Sequence, residues 1–227
     1  MLGRCKMANI KTIGVYEETM ASFQNKTGMA SRNRKKTFVH AILAGFYFGL
    51  IMMLMTIMFT TVDHGSVLAA LIHTFGLALV LIAGAELFTS HCMMETEALM
   101  AKTATKKAVA INLINIWLGN LVGAGLVSGL FYYTLPQVQT TQIITTLATL
   151  KLTLPLSMLI ANGVFGGMFI CLAVWMATRC KDNISKIFSI FLCSLAFVVC
   201  GAEHVVLNMP LFASAYIFDP TISLTNI

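Results

Sequence analysis

Val198–Met209 reads VVCGAEHVVLNM and lies within an otherwise apolar run, Ile187–Ile217. Four of its residues are unusual in such a run: Gly201, Glu203, His204 and Asn208. Hydrocarbon contains no water to solvate a charge or an open backbone group, so an ionisable pair at membrane depth indicates a functional site. The stretch therefore predicts a membrane helix that is broken at a site of chemical importance.

A second interruption of the same kind comes earlier in the chain. Gly84–Ser90 reads GAELFTS inside the apolar segment Val67–Met100, and both interruptions begin Gly-Ala-Glu. Two Gly-interrupted apolar segments in corresponding places of two halves indicate a transport site near the middle of the bilayer.

Composition predicts an all-α membrane protein. Apolar residues make up 58% of the 227 residues and charged residues only 11%, less than half of the usual share of about 25%. We expect five spans, with the second broken near Leu87–Ser90 and the fifth at Gly201–His204. The five predicted spans are Phe38–Val62, Val67–Met100, Val109–Tyr133, Leu154–Met176 and Ile187–Ile217. The Thr- and Gln-rich stretch Thr134–Lys151 is interpreted as a connection.

The placement of Lys and Arg predicts the orientation. Every basic residue except Lys151 precedes the first span or lies in the links after the second and fourth spans. Cytoplasmic loops carry such an excess, so we expect a multi-pass protein of the inner or plasma membrane with a cytoplasmic N-terminus. This sorting explains the net charge of +6 and argues against a nucleic-acid partner.

His204 is the first candidate for the site. An imidazole in an apolar passage can attract a small anion, share or donate a proton, and release a neutral acid. Thr89 is a natural partner because a hydroxyl both donates and accepts. Glu86 and Glu203 flank the breaks, where we expect their carboxylates to hold open backbone N–H groups, and Asn208 is given the same role.

Other residues have a functional and a structural interpretation. Lys151 either attracts anions to an outer mouth or simply extends its amine to the interface. A set of apolar residues either narrows a pore around His204 or packs an ordinary core: Leu77, Leu87, Phe88, Ile170 and Phe197. Neither the six scattered cysteines nor any other cluster predicts a metal or a cofactor.

Four motifs resemble the formate/nitrite transporter family, in the family's order. They are GAELFTS at 84–90, GNLVGA at 119–124, CLAVWMA at 171–177 and GAEHVVLNM at 201–209. The resemblance implies an aquaporin-like helical bundle of six spans with two broken transmembrane helices. It also implies a homopentamer with one pore per protomer, permeable to small monovalent anions such as formate, nitrite or hydrosulfide and often coupled to protons.

The resemblance also assigns residues. It makes His204 the central pore histidine, Thr89 its loop partner and Lys151 the lysine of the outer vestibule. Glu203 and Asn208 match polar residues of the second break. Leu87, Phe88 and Phe197 match constriction residues.

Two departures from the family are visible. The aromatic residue of the outer constriction falls on His73, which predicts a second titratable group there. The family's sixth span is not seen after the five, so the second half is expected to be incomplete. The expected organisation is a cytoplasmic segment 1–36, a transmembrane domain 37–217 with halves 38–133 and 154–217, and an extracytoplasmic tail 218–227.

These inferences predict proton-linked transport of small monovalent anions. Two alternatives stay open: a facilitator for neutral solutes in which His204 only packs, and a non-transporting structural subunit. An enzyme is not expected, because no set of nucleophile, base and orienting group is visible.

Overall fold

The computed structural model describes residues 33–61, 65–134 and 138–220, together with Ala21 and Ile222. The cytoplasmic segment 1–36 and the tail 218–227 thus lie largely outside the described residues. The spacing of Ile13, Tyr16, Met20 and Phe23 predicts a helix along the membrane surface or in solvent. It also lies outside the described residues, apart from Ala21.

Eight helices account for nearly all of the described chain. They are α1 (Arg34–Thr61), α2 (Gly65–Ile82), α3 (Phe88–Met100), α4 (Lys106–Thr134), α5 (Val138–Leu152), α6 (Leu156–Arg179), α7 (Asn183–Val199) and α8 (Val205–Phe218). The prediction of an all-α chain is confirmed.

The helices fall into two length classes, as expected of a bundle with broken spans. Within the described residues, three helices are long and apolar enough to cross a bilayer: Arg34–Phe59 of α1, α4 and α6. The apolar helices Leu71–Ile82 of α2, α7 and α8 are shorter. The broken spans are therefore the pairs α2–α3 and α7–α8, each of which crosses in two pieces.

Two local details differ from the sequence predictions. The first break occupies Ala83–Leu87, and Thr89 and Ser90 already belong to α3. The helix ends early because Gly84 takes a left-handed φ of 73°, which favours glycine and ends helices. The predicted connection Thr134–Lys151 contains a helix, α5, whose Ile144 and Ala148 are fully buried.

Small residues allow α1 and α4 to pack at close range. A Cβ added at Gly119 would overlap Ala41, and one at Gly123 would overlap the Ile42 carbonyl. Membrane helices use such residues because lipid supplies no hydrophobic drive between them. This contact fixes the position of α4 beside the first break.

Candidate functional site

The two breaks close their helices with the same backbone geometry. Gly84 and Gly201 have φ values of 73° and 62°. The next residue in each break, Ala85 or Ala202, donates its N–H to the carbonyl five residues earlier, at 3.0 Å and 3.1 Å. This is the bonding of a Schellman cap, so each Gly-Ala-Glu triplet ends a half-helix.

Each break is then tied to the first helix of its own half. The Glu86 N–H donates to the His40 carbonyl of α1, and the Glu203 N–H donates to the Asn162 carbonyl of α6, both at 3.1 Å. These bonds satisfy backbone groups that lipid cannot. Backbone carbonyls of neighbouring helices thus accept the two glutamate N–H groups, and the role expected of the carboxylates stays a prediction.

A side-chain contact joins the two breaks. Thr89 Oγ1 of α3 lies 3.0 Å from His204 Nε2, across 115 residues of sequence. His204 is 2% exposed. The structure thus places the two predicted partners within hydrogen-bond distance, where the two half-helices begin.

Backbone geometry determines the tautomer of His204. The Leu207 N–H donates to His204 Nδ1 at 3.1 Å, so this imidazole is the N-cap of α8. A nitrogen that accepts carries no proton, and Nε2 therefore carries the ring's proton and donates it to Thr89 Oγ1. The Thr89 hydroxyl proton is then available to a third group.

Four aromatic rings pack together at the site, and imidazole and phenyl rings alternate among them. His73 stacks on Phe197 with centroids 4.8 Å apart, and Phe197 meets His204 edge-on at 6.1 Å. Phe48 completes the ring cluster, 5.0 Å from His204 and 6.3 Å from His73. The two imidazoles are thus separated by the rings of Phe48 and Phe197, which have no hydrogen-bonding groups.

The second break carries an ion pair at the side of the site. Lys151 Nζ of α5 lies 2.5 Å from both carboxylate oxygens of Glu203, and Asn208 Nδ2 donates to Glu203 Oε2 at 2.8 Å. The Lys151 and Glu203 side chains are 26% and 12% exposed. Lys151, one of whose two expected roles is to attract anions, is therefore paired with a carboxylate.

The first break carries a different buried cluster. His91 Nε2 of α3 bonds the Glu86 carboxylate, and His91 Nδ1 lies 3.6 Å from Glu95 Oε1. Asn112 of α4 donates to the same Glu95 oxygen at 2.5 Å. Sequence reasoning missed this cluster, although the i, i+4 spacing of His91 and Glu95 indicated a contact on one helix face.

Asn120 of α4 holds the first break from outside. Its Oδ1 accepts the Phe88 N–H at 3.0 Å, and its Nδ2 donates to the carbonyls of Ala41 and Glu86 at 2.8 Å and 2.9 Å. Sequence reasoning missed this residue too, since the GNLVGA motif was valued for its glycines. An asparagine within an apolar span, directly after Gly119, was the available signal.

The predicted constriction residues share one buried cluster. Leu77, Leu87, Ile170 and Phe197 belong to it, and Phe88 packs against its edge. His73 is fully buried and contacts Phe197 as described. The arrangement agrees with both sequence interpretations, a packed core and a narrow passage.

Two cavities reach the site from different directions. A groove of about 760 Å³ is lined by Thr89 and His204, by Trp117 of α4, and by Gly163 and Gly167 of α6. A smaller cavity of about 190 Å³ is lined by His73, Phe197, Lys151 and Asn208, among others. His204 therefore borders the groove, while His73 and Phe197 border the small cavity.

Comparison with known proteins identifies a family with similar sequences. The sequence model of the family described as Formate/nitrite transporter matches residues 14–227. The nitrite transporter NirC of Salmonella typhimurium is 36% identical over 193 residues, which cover 83% of this chain and 71% of NirC. The formate channel FocA of Escherichia coli K12 is 28% identical over 201 residues, or 84% and 70% of the two chains.

Solved structures agree with the sequence comparison. An "FNT family ion channel" superposes with a TM-score of 0.84 at 30% identity, covering 94% of this chain and 88% of its own. A "pentameric formate channel with formate bound" gives a TM-score of 0.75 at 26% identity, covering 87% and 80%. The chain belongs to the formate/nitrite transporter family, whose members are membrane anion transporters and channels and not enzymes.

Proposed function

We propose that this membrane protein conducts small monovalent anions of the formate and nitrite class past His204 and Thr89, with protons linked to their passage. The observation that supports this proposal is the 3.0 Å contact between Thr89 Oγ1 and His204 Nε2. It brings a donor hydroxyl and a titratable ring together where two half-helices begin. The relatives named for nitrite and formate transport supply the substrate class.

The resting hydrogen bonds dictate how the site meets an anion. With Nε2–H donated to Thr89, the hydroxyl proton of Thr89 points to an anion oxygen, so a neutral ring polarises a donor for the substrate. Donation to a charged acceptor is the stronger kind of hydrogen bond. Binding therefore requires no change in the protonation of His204.

Proton linkage requires one further event. A proton added to the ring must go to Nδ1, which then cannot accept the Leu207 N–H, so α8 loses its N-cap. The imidazolium can pass its Nε2 proton to Thr89 Oγ1 while the Thr89 hydroxyl proton passes to the anion. This leaves a neutral acid and a neutral ring whose remaining proton is on Nδ1. A lost cap typically costs about 1 kcal/mol, in addition to the cost of charging a buried ring.

The apolar residues of the buried cluster are proposed to narrow the path. Leu77, Leu87, Phe88, Ile170 and Phe197 surround the site with groups that cannot solvate an ion. A neutral acid passes such a region far more easily than an anion. Glu203 and Asn208 are proposed to hold the second break, and Lys151 to lie at its outer side.

Orientation and assembly complete the proposal. Basic residues cluster beside α1 and in the α3–α4 and α6–α7 links, which supports a cytoplasmic N-terminus in a plasma or inner membrane. The similarity to a pentameric formate channel supports a homopentamer in the lipid bilayer. Large apolar side chains exposed on α4 and α6, such as Leu126 and Phe165, provide surfaces for lipid and for neighbouring copies.

Uptake into proteoliposomes tests this function. We expect the full chain to take up formate or nitrite faster at lower external pH, and we expect the H204F variant to lose at least tenfold in rate and the pH dependence. Unchanged anion uptake in H204F would contradict the proposal. Glycerol uptake unaffected by H204F, without anion uptake by the native chain, would instead identify a neutral-solute facilitator.

A further inference from the structure

His73 stands out as the polar side chain of the ring cluster that has no hydrogen-bond partner among the described residues. Both ring nitrogens are buried and unpartnered in this part of the chain. Buried polar groups in native proteins are almost always bonded, and each exception needs an explanation. Stacking on Phe197 accounts for the ring face of His73 but leaves its N–H donor unexplained.

The cavity beside His73 has room for what is missing. Its volume of about 190 Å³ is well above the roughly 30 Å³ that one water occupies in the liquid. The cavity can therefore hold a small ion together with water. His73 is one of the residues that line this cavity.

The other polar groups of this cavity favour an anion. Lys151 and Asn208 line it with His73, and both donate to Glu203. Thr56, a further polar lining residue, already donates to the Met52 carbonyl at 2.9 Å. The cavity lining thus contains an imidazole, an amide and an ammonium group, and the ammonium is paired with the Glu203 carboxylate.

We propose that His73 forms a second binding station for the same small monovalent anions, in the cavity that it shares with Lys151 and Asn208. The station rests on the proposed transport function and extends it. Phe197 separates this station from His204, at centroid distances of 4.8 Å and 6.1 Å from the two imidazoles. An anion would therefore meet His73 on one side of the Phe197 ring and the Thr89–His204 pair on the other.

Two substitutions separate the donor from the ring. His73→Phe keeps an aromatic face for Phe197 and removes the N–H, whereas His73→Gln keeps an N–H donor and removes the aromatic face. We expect H73F to raise the formate concentration for half-maximal uptake about tenfold, the usual effect of losing a hydrogen bond to a charged group. H73Q should stay within about threefold of the native chain.

Direct binding tests the station without transport. The chain has five histidines, so the ¹⁵N ring signals of the labelled full chain in detergent micelles can be assigned by single substitutions. On titration with sodium formate or sodium nitrite, we expect the His73 signals to shift saturably in the native chain and also in H204F. Sodium sulfate, which is divalent and larger, should shift them much less.

The outcomes distinguish this proposal from the function on which it rests. If the His204 signals respond to formate and the His73 signals do not, or if H73F takes up formate like the native chain, the second station is wrong and the transport function stands. If H204F takes up anions normally, the proposed function itself is wrong.

Discussion

The two breaks share a backbone and differ in side-chain chemistry. Each ends a half-helix at a left-handed glycine and donates a glutamate N–H to the first helix of its own half. Beyond that, the first break is held by Asn120 and a buried His91–Glu86 contact. The second is held by the partly exposed ion pair Lys151–Glu203 and by the His204 cap.

The two halves support their breaks in different ways. The first break is fixed from outside by an amide on α4, whereas among the described residues no side-chain amide reaches the backbone of the second break. The second break instead uses its reactive imidazole as a structural cap. In the second half, His204 is therefore both the candidate site residue and the helix cap. In the first half, Thr89 is the candidate site residue and Asn120 supports the break.

The largest expected effect comes from removing the outside support of the first break. Asn120→Ala leaves the part-buried Phe88 N–H and two carbonyls without this partner, at about 1–3 kcal/mol for the unsatisfied donor and about 3 kcal/mol in all. Thermal unfolding in detergent measures the loss.

Asn115→Ala on the same helix is the matched control. Asn115 makes one exposed hydrogen bond, to the Arg34 carbonyl at 3.1 Å, so its loss should cost less than about 0.5 kcal/mol. Equal melting temperatures for N120A and N115A would show that the first break needs no support from α4.

Crowding at α6 tests how closely the second break is packed. A Cβ at Gly166 would overlap the Glu203 carbonyl, whereas one at Gly167 meets nothing within 4 Å. Gly166→Ala should therefore lower stability by about 2 kcal/mol, and Gly167→Ala should leave it unchanged or raise it slightly. If G166A and G167A have the same melting temperature, the second break is not closely packed against α6.

The shared backbone predicts equal responses in the two halves. Gly84 and Gly201 both have positive φ values and open space at the Cβ position. Alanine at either position should cost about 1–2 kcal/mol, the strain of a left-handed residue with a side chain. Gly163→Ala, also in open space, is the control without strain. A cost at one break only would mean that the halves differ in backbone as well.

The smallest expected effect concerns the ion pair of the second break. Lys151→Met and Glu203→Gln should show a coupling energy of about 1 kcal/mol in a double-mutant cycle, because both side chains are partly exposed and water screens them. Asn208→Ala removes the other donor to Glu203 and should couple to both E203Q and K151M, because Asn208 and Lys151 donate to the same Glu203 oxygen. Additive effects of K151M and E203Q would show that the pair contributes nothing.

Sequence predicted the features that have a local cause. Each break is encoded by its own Gly-Ala-Glu triplet, because a left-handed glycine ends a helix regardless of its surroundings. The partnership of Thr89 and His204 followed from the idea that both breaks meet near the middle of the bilayer. Its hydrogen bond at 3.0 Å is in agreement with that interpretation.

Features with a long-range cause escaped prediction. The Thr-rich sequence of α5 has weak helix propensity, and the helix is stabilised by burial of Ile144 and Ala148 and tolerates Thr149 bonding back to Thr145. The Lys151–Glu203 pair joins residues 52 positions apart, and no spacing rule reveals such a contact. The unpartnered state of the His73 nitrogens likewise depends on three other helices.

Formate uptake by proteoliposomes containing Thr89 variants tests the central claim most directly. Thr89→Val keeps the shape and removes the hydroxyl, Thr89→Ser keeps the hydroxyl, and Ser90→Ala removes a neighbouring hydroxyl that bonds only the Leu87 carbonyl among the described residues. We predict that T89V lowers the rate about tenfold or more, while T89S and S90A stay within about threefold of the native chain. Uptake by T89V at the native rate would contradict the claim that the contact between the two breaks is the transport site.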